Sequence, residues 1–332
     1  MAVWSDLWKK KSEDWIFAWL DSKQVPAGSH SGEVDSDTNY LHVFLKSARV
    51  VDVRKGFTTF YGTVHSYANL PHRSGGKAEF NVVTTPNSLK NIDAAGIDRV
   101  IQFNKRLLGP VPYAGGGLEI EVGLFSVAST QLAAPYLELL ETLSKTAGVS
   151  YVSAAMPFVT PILQGIKLLT GSDKDVALEI GISTTLEPPR LGYCVAIRAP
   201  KQAIEIKKLS VDPSDFRLQC DGETLSEYPY MVLEFSAEPN RADWFQIPEL
   251  SAGYKRVQEE FRAGSASGTE AALAVFRRMT LTCNDLLEDD ARRIAARVAD
   301  TYKAAGPPVP AVREGRPLAP KALPDLNQIA IY

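Results

Sequence analysis

Apolar residues alternate with polar or small residues at every second position in three separate stretches of this chain. In the clearest stretch, from Leu118 to Leu124, the apolar side chains are separated by Glu119 and Glu121. The same alternation runs through residues 78–82 and 176–182. Successive side chains of a β-strand point to opposite faces, so this period of two is typical of strands with one buried face. The chain is therefore predicted to be built around β-sheets.

Residues 41–68 are predicted to form a hairpin of two long strands with a short turn centred on Lys55. In that register His65 lies opposite Leu45. His42 then points to the face of the sheet opposite His65, because a strand reverses its face at each residue. The two histidines are therefore not expected to share a metal ion, and no metal site is predicted.

Two segments of the chain have a helical pattern instead. Residues 129–170 are predicted to form a helical hairpin that is divided at Gly148. The helical period returns over residues 248–305. Within that stretch, Asp285 and Glu288 have the spacing of a capping box, which predicts the start of a helix.

Together these patterns predict an α+β fold: a mainly antiparallel β-sandwich with an inserted helical hairpin and a helical C-terminal region. A C2-like outline is one arrangement that the pattern allows. The predicted parts are a Trp-rich N-terminal helix (1–20), a linker loop (21–39), a β-rich body (40–236) containing the hairpin (129–170), a C-terminal helical region (237–305) and a Pro-rich extended tail (306–332).

Charge and cysteine content narrow the function classes. The chain has 36 Lys and Arg residues against 39 Asp and Glu residues, a net charge of −3, which is too even for bulk attraction to nucleic acid. The three cysteines, Cys194, Cys220 and Cys283, have the spacing of neither a zinc site nor a redox dithiol. They predict free thiols in a reducing compartment, and so a cytoplasmic protein. No cofactor is predicted.

Local catalytic motifs are not found in the sequence. The segment 28–32 has His30 where the nucleophile elbow of a hydrolase needs serine. The segment 264–268 has Ala266 at that position. An enzyme whose site is assembled from distant residues stays an alternative hypothesis.

That alternative depends on three carboxylates. Glu119 and Glu121 share one face of a predicted strand, and Glu179 would lie beside them if the two strands paired. Neighbouring carboxylates raise each other's pKa and so can serve as acid and base. The solvent face of a half-buried sheet carries the same residues without any catalytic role.

Four of the five tryptophans of the chain lie within the predicted N-terminal helix. At about 100° per residue they form a stripe roughly 60° wide. Such a stripe packs on the protein's own body, binds a partner protein or lies at a membrane interface. The candidate partner-binding residues are Trp4, Trp8, Trp15 and Trp19.

The uncharged run 146–166 would span about 31 Å as one helix, close to a bilayer core. Gly148, Pro157 and Pro161 interrupt it, which favours a buried helical hairpin over a permanent membrane span. Conditional insertion into a membrane, as in a pore-forming effector, is the alternative. The residues of that candidate membrane segment are Val149, Met156, Phe158, Ile162 and Leu163.

The Pro-rich tail contains a PxxP spacing, Pro317 to Pro320, preceded by Arg316. This composition is typical of an extended ligand for a partner domain, of a linker, or of a segment that lies along its own domain. The leading hypothesis is therefore a non-enzymatic interaction protein, an adaptor, scaffold or assembly subunit. It would bind other proteins through its Trp-rich and Pro-rich ends. A membrane is the alternative partner.

Overall fold

The structure is a computed structural model, and it shows an α+β protein with mostly antiparallel β-sheets and three helices near the C-terminal end. The chain divides into two compact units, one of Met1–Ser36 with Leu41–Ala237 and the other of Asp37–Tyr40 with Glu238–Tyr332. The residues that the structure describes are 15–51, 54–55, 58–84, 100–128, 176–200, 202–308, 312–313, 316–317 and 321–332.

Most of the described residues of the first unit lie in strands, and two short strands near the C-terminal end lie in the second unit. In chain order the strands are β1 (Trp15–Trp19), β2 (Gly32–Glu33), β3 (Tyr40–Arg49), β4 (Arg54–Lys55), β5 (Thr58–Pro71), β6 (Lys77–Thr84), β7 (Val100–Pro112), β8 (Leu118–Ala128), β9 (Val176–Leu186), β10 (Arg190–Arg198), β11 (Leu209–Val211), β12 (Leu218–Cys220), β13 (Glu223–Thr224), β14 (Tyr230–Glu238), β15 (Val312–Arg313) and β16 (Arg316–Pro317).

Two large sheets hold most of these strands. The first sheet has the order β1-β10-β14-β3-β7, and the short strand β2, within the predicted linker loop, also pairs with β10. The second sheet has the order β4-β5-β8-β9, and β6 pairs with β5. The strands β11, β12 and β13 form a small third sheet, and β15 pairs with β16.

The predicted hairpin over residues 41–68 is wrong, because β3 and β5 belong to different sheets. The short strand β4 pairs with β5, with Lys55 opposite Thr58. His65 faces Val83 on one side and Gly123 on the other. An alternating pattern predicts that a strand has one buried face, but it does not specify the strand with which it pairs.

One hydrophobic cluster contains side chains from both large sheets, including Val43 and Leu45 of β3, Val64 of β5 and Leu124 of β8. The opposite face of the first sheet belongs to a second cluster, where β10 contributes Val195 and Ile197 and the small third sheet contributes further apolar residues. The first sheet is therefore buried on both faces. This explains why β10 and β14 are almost continuously apolar instead of alternating.

Three helices account for about half of the second unit: α1 (Pro248–Arg262), α2 (Ala266–Leu281) and α3 (Glu288–Ala305). The predicted capping box is wrong, because α3 begins after Leu287 and not at Asp285. The residue at the N-cap position is Leu287, whose side chain has no polar atom with which to cap the helix. Instead, the first turn of α3 is acidic throughout, at Glu288, Asp289 and Asp290, which suits the positive end of the helix dipole.

A buried polar group lies at the start of α3, within the second unit. The carboxylate of Asp290 is fully buried, and its Oδ2 accepts hydrogen bonds from Tyr40 Oη at 2.8 Å and from the backbone N–H of Arg241 at 3.0 Å. Arg293, one helical turn along, donates to Oδ1 at 2.6 Å. The buried guanidinium of Arg241 pairs with Asp243 at 2.8 Å. The buried carboxylate of Asp290 and the buried guanidinium of Arg241 therefore each have hydrogen-bond or ion-pair partners, as buried charged groups require.

The end of the tail folds against these helices. Leu323, Leu326 and Ile329 are buried. The hydroxyl of Tyr254 donates to the carbonyl oxygen of Pro324 at 3.0 Å, and Gln258 Nε2 donates to Asp325 Oδ1 at 3.0 Å. Over residues 321–332 the tail therefore lies along its own unit, one of the three arrangements considered for it, and it contains a 3₁₀ turn at Leu326–Gln328. Prolines prevent a long helix, but they leave the intervening apolar side chains available for packing.

Candidate functional site

The described part of the tryptophan stripe is a strand. Residues Trp15–Trp19 pair antiparallel with β10, from Trp15 opposite Arg198 to Trp19 opposite Cys194. The predicted helix is therefore wrong over these residues, while Trp4 and Trp8 lie outside the described residues. Two residues four apart share a face in a helix and also in a strand, so the spacing of Trp15 and Trp19 cannot distinguish the two.

Both faces of β1 are anchored in the first unit. Trp15 and Trp19 pack against the cluster that contains residues of both large sheets, and the ring of Trp19 lies 5.2 Å from that of Phe235. Ala18 and Leu20 belong to the cluster on the other face. These two tryptophans thus pack on the protein's own body, so their large apolar area is only partly available to a partner.

The outer edge of β1 differs from its faces. Leu20 N–H donates to Tyr193 C=O at 2.9 Å, and in an antiparallel pair the bonding residues alternate. The backbone groups of Phe17 and Trp19 are therefore directed away from β10. In the described part of the chain, no strand pairs with β1 on that outer side. The side chain of Phe17 is 41% exposed, and it contacts the ring of Trp19 edge to face.

The edge strand β1 contains no charged residue and no proline. Natural sheets usually protect an edge strand with charges or proline, because the edge otherwise offers backbone groups to another strand. The opposite edge of the same sheet has this protection: β7 contains Lys105, Arg106 and Pro110. The uncharged run from residue 15 to residue 20 is visible in the sequence. Without the strand assignment, however, Phe17 could not be identified as its exposed member.

The three carboxylates of the alternative enzyme hypothesis do not come together. Strands β8 and β9 do pair, but the register places Ser183 opposite Glu121 and Thr185 opposite Glu119. Glu179 lies at the register shift between Leu124 and Phe125. It is four residues along β9 from Ser183, and so roughly 13 Å along the strand from the position opposite Glu121.

Each of these carboxylates has its own partners. Glu179 is buried, accepts a hydrogen bond from Ser126 Oγ at 2.6 Å and pairs with Arg198 at 3.0 Å. Glu119 is exposed and accepts a hydrogen bond from Asn69 Nδ2 at 2.9 Å. Partial burial raises the pKa of Glu121. Glu119 is exposed to solvent, whereas Glu179 is buried and paired with Arg198 further along the strands. The three carboxylates therefore do not line one site.

The histidines on the two long strands lie in different sheets, His42 in β3 and His65 in β5. His65 is 3% exposed, and its Nε2 lies 2.5 Å from Asn81 Oδ1. Burial lowers the pKa of His65 to about 4, so it is neutral at physiological pH. The ring of His42 stacks on that of Phe44. No group of three or more His, Cys, Asp or Glu side chains suited to a metal ion occurs among the residues described.

The thiols are poor candidates for covalent chemistry. Cys194 and Cys283 are buried, and burial raises the pKa of both thiols well above the ordinary value. Cys220 is half-buried, and its pKa is also raised by burial. A thiol with a raised pKa carries little thiolate at neutral pH, and the thiolate is the reactive form.

The remaining predicted site residues lie in the tail and in the uncharged run. Arg316 and Pro317 form β16, opposite Arg313 and Val312, while Pro320 lies outside the described residues. Among the helices that the structure describes, none is both long and apolar enough to cross a membrane. The candidate membrane segment lies outside the described residues, including Val149, Met156, Phe158, Ile162 and Leu163.

Comparison with known proteins gives no relative for this chain. No protein-family model matches it, and neither the curated proteins nor the solved structures contain a significant match.

Proposed function

We propose that this protein is a non-enzymatic interaction module, an adaptor, scaffold or assembly subunit, that binds another protein by accepting an extended segment alongside β1. The observation that carries the proposal is the uncharged outer edge of Trp15–Trp19, where the backbone groups of Phe17 and Trp19 point away from β10. Added strands of this kind gain affinity from main-chain hydrogen bonds, and they gain specificity from the side chains beside them.

The anchoring of β1 supports this role. Its two faces belong to two hydrophobic clusters, so the strand is held in an extended conformation before any partner arrives. A preformed strand loses little conformational entropy on binding. The exposed ring of Phe17 then offers an apolar contact at the centre of the edge.

The Pro-rich segment with Arg316, Pro317 and Pro320 is proposed only as a secondary contact. The residues after it, from 321 to 332, fold against α1 and α3, which limits how far this segment can extend as a ligand.

We further propose that the two large sheets are the layers of a β-sandwich with a C2-like outline. The cluster that combines residues of both sheets supports two facing layers. A cytoplasmic location is proposed on the three cysteines, none of which forms a disulfide.

The proposed docking edge can be tested by photocross-linking. A benzoylphenylalanine at position 17 should cross-link to one defined segment of a partner protein in a cell extract. The same photoreactive residue at position 206 is the matched control, because Ile206 is 40% exposed in the same unit but lies outside the edge.

A synthetic peptide of the cross-linked segment then provides the quantitative test. It should bind the purified protein, and Phe17→Pro should weaken its binding at least tenfold, because proline removes the outward N–H group. Ile206→Lys should leave the affinity unchanged. Equal affinity for the wild type and Phe17→Pro would contradict the proposal.

A further inference from the structure

We infer that the partner of β1 is a second copy of this chain, paired antiparallel edge to edge, with Phe17 of each copy opposite Trp19 of the other. This inference rests on the proposed function, because it uses the same outer edge of β1. It adds the identity of the partner and the register of the pairing.

The register follows from which backbone groups point outward. Phe17 and Trp19 are two residues apart, and both direct their N–H and C=O groups away from β10. A twofold axis beside Ala18 therefore brings each Phe17 opposite the other copy's Trp19, and both pairs meet the hydrogen-bonding requirement of an antiparallel ladder. An interface of this kind uses the same surface twice, as a twofold dimer does.

The side chains on the edge favour self-pairing. The strand from Trp15 to Trp19 is uncharged, so the two paired strands place no like charges opposite each other. Each Phe17 would meet an indole, and aromatic pairs across neighbouring strands are among the favourable ones. The existing contact between Phe17 and Trp19 within one copy already uses the edge-to-face geometry that aromatic rings prefer.

The opposite edge of the same sheet is poorly suited to the same pairing. In β7, Lys105 and Arg106 of two antiparallel copies would meet like charges, and Pro110 has no N–H to donate. A symmetric dimer through the first sheet is therefore expected at β1. The short length of β1 indicates a small interface and hence a weak, reversible dimer.

Sedimentation equilibrium of the full chain over a wide concentration range tests the self-association. The wild type should shift from monomer towards dimer as concentration rises. Phe17→Lys and Phe17→Pro should each raise the dissociation constant at least tenfold, since one adds like charges and the other removes an outward N–H group. Ile206→Lys adds the same charge at a similarly exposed position and should dimerise like the wild type.

A second measurement identifies the register. Protein with benzoylphenylalanine at position 17 is prepared in ¹⁴N-labelled and in ¹⁵N-labelled form, and the two are mixed. Cross-links between copies then join peptides that carry different labels. Mixed-label peptides joining position 17 to residues 15–20 of the other copy support the inference. A wild type that stays monomeric without such peptides overturns it, and so does a dimer unaffected by both Phe17 variants.

The two proposals can fail separately. If position 17 cross-links only to a different protein in extract, and the purified chain stays monomeric, the second copy is excluded while the interaction function stands. If neither the extract nor the purified chain gives a specific cross-link at position 17, both are rejected.

Discussion

The hydroxyl of Tyr40 donates a 2.8 Å hydrogen bond to Oδ2 of Asp290, a residue 250 positions further along the chain. The same hydroxyl accepts a hydrogen bond from the backbone N–H of Leu287 at 2.8 Å. Burial, and then the negative charge of Asp290, raise the pKa of Tyr40 far above its usual range. One phenol therefore satisfies two buried polar groups at the start of α3, and its hydroxyl stays protonated at any physiological pH.

Replacing Tyr40 with phenylalanine should destabilise the second unit. The change leaves the N–H of Leu287 without its acceptor and removes one donor from Asp290, which should cost about 1–3 kcal/mol of unfolding free energy. Chemical denaturation monitored by circular dichroism measures this loss. Tyr302→Phe is the control, because Tyr302 contacts Phe261 through its ring and makes none of the described hydroxyl hydrogen bonds. Equal stability of the two variants would show that the Tyr40 hydroxyl contributes nothing.

Stability should depend on the protonation of His65. Burial lowers its pKa to about 4 from the ordinary 6.5, so between these pH values the unfolded chain binds a proton that the folded chain does not. The free energy of unfolding should therefore fall as pH decreases through this window, by up to about 3 kcal/mol from this group. Below about pH 4 the contribution levels off, since both states are then protonated.

A variant isolates this contribution. His65→Gln keeps an N–H that can bind Asn81 but does not titrate, so its unfolding free energy should fall less than that of the wild type between pH 7 and pH 4. His30→Gln, at an exposed loop position, should retain the wild-type slope. Denaturant titrations at several pH values give the unfolding free energy of each variant as a function of pH. If the curves for His65→Gln and the wild type are parallel, His65 does not cause the pH dependence.

The ion pair between Lys46 and Glu234 should stabilise only when both partners are present. Lys46 Nζ lies 3.2 Å from Glu234 Oε2 and 4.0 Å from the ring centre of Phe216, and both charged side chains are largely buried. Glu234→Gln leaves the lysine charge without its counter-ion and should cost about 3 kcal/mol.

Replacing both partners of this pair should recover most of that loss. The variant Lys46→Met with Glu234→Met removes both charges and should unfold within about 1 kcal/mol of the wild type, because buried pairs often break even against apolar residues. Denaturation of Lys46→Met, Glu234→Met and the double variant, each compared with the wild type, forms the cycle. Losses in the single variants that simply add in the double variant would count against coupling.

The end of the tail should contribute to folding of the second unit. Leu326 is buried, so Leu326→Ala should lower the unfolding free energy by about 2–4 kcal/mol through lost burial and a cavity. The neighbouring Asn327 is exposed, and Asn327→Ala should change it by less than about 0.5 kcal/mol. Scanning calorimetry measures both. If Leu326→Ala melts like the wild type, the tail does not pack as described.

Much of the strand content could be predicted from local pattern. The alternation around Leu118–Leu124 marks β8, because a strand between a core and a polar face must place apolar residues at every second position. The helical period likewise indicated the C-terminal helices. The start of α3 could not be located, since Asp285 and Glu288 match a capping box in sequence while the helix begins after Leu287.

The sequence shows the apolar composition of the candidate edge at β1 but not its position at the edge of a sheet. Its apolar composition is a local property, and the run from Trp15 to Leu20 can be read directly from the residues. That the run is a strand, and lies at an edge, depends on its pairing with β10 nearly 180 residues later. A spacing of four between Trp15 and Trp19 suits a helix and a strand equally, so the local pattern could not decide.

The amino-acid sequence by itself determined that the body of the chain is rich in strands and that helices follow from residue 248, because each element must bury its own apolar face and the period of that face can be read from neighbouring residues. Only the tertiary structure decided which strands pair, how β3 and β5 separate into different sheets, and how Tyr40 reaches Asp290. Residues far apart in the sequence have many possible partners with similar local chemistry. Which of them come into contact depends on how the whole core packs.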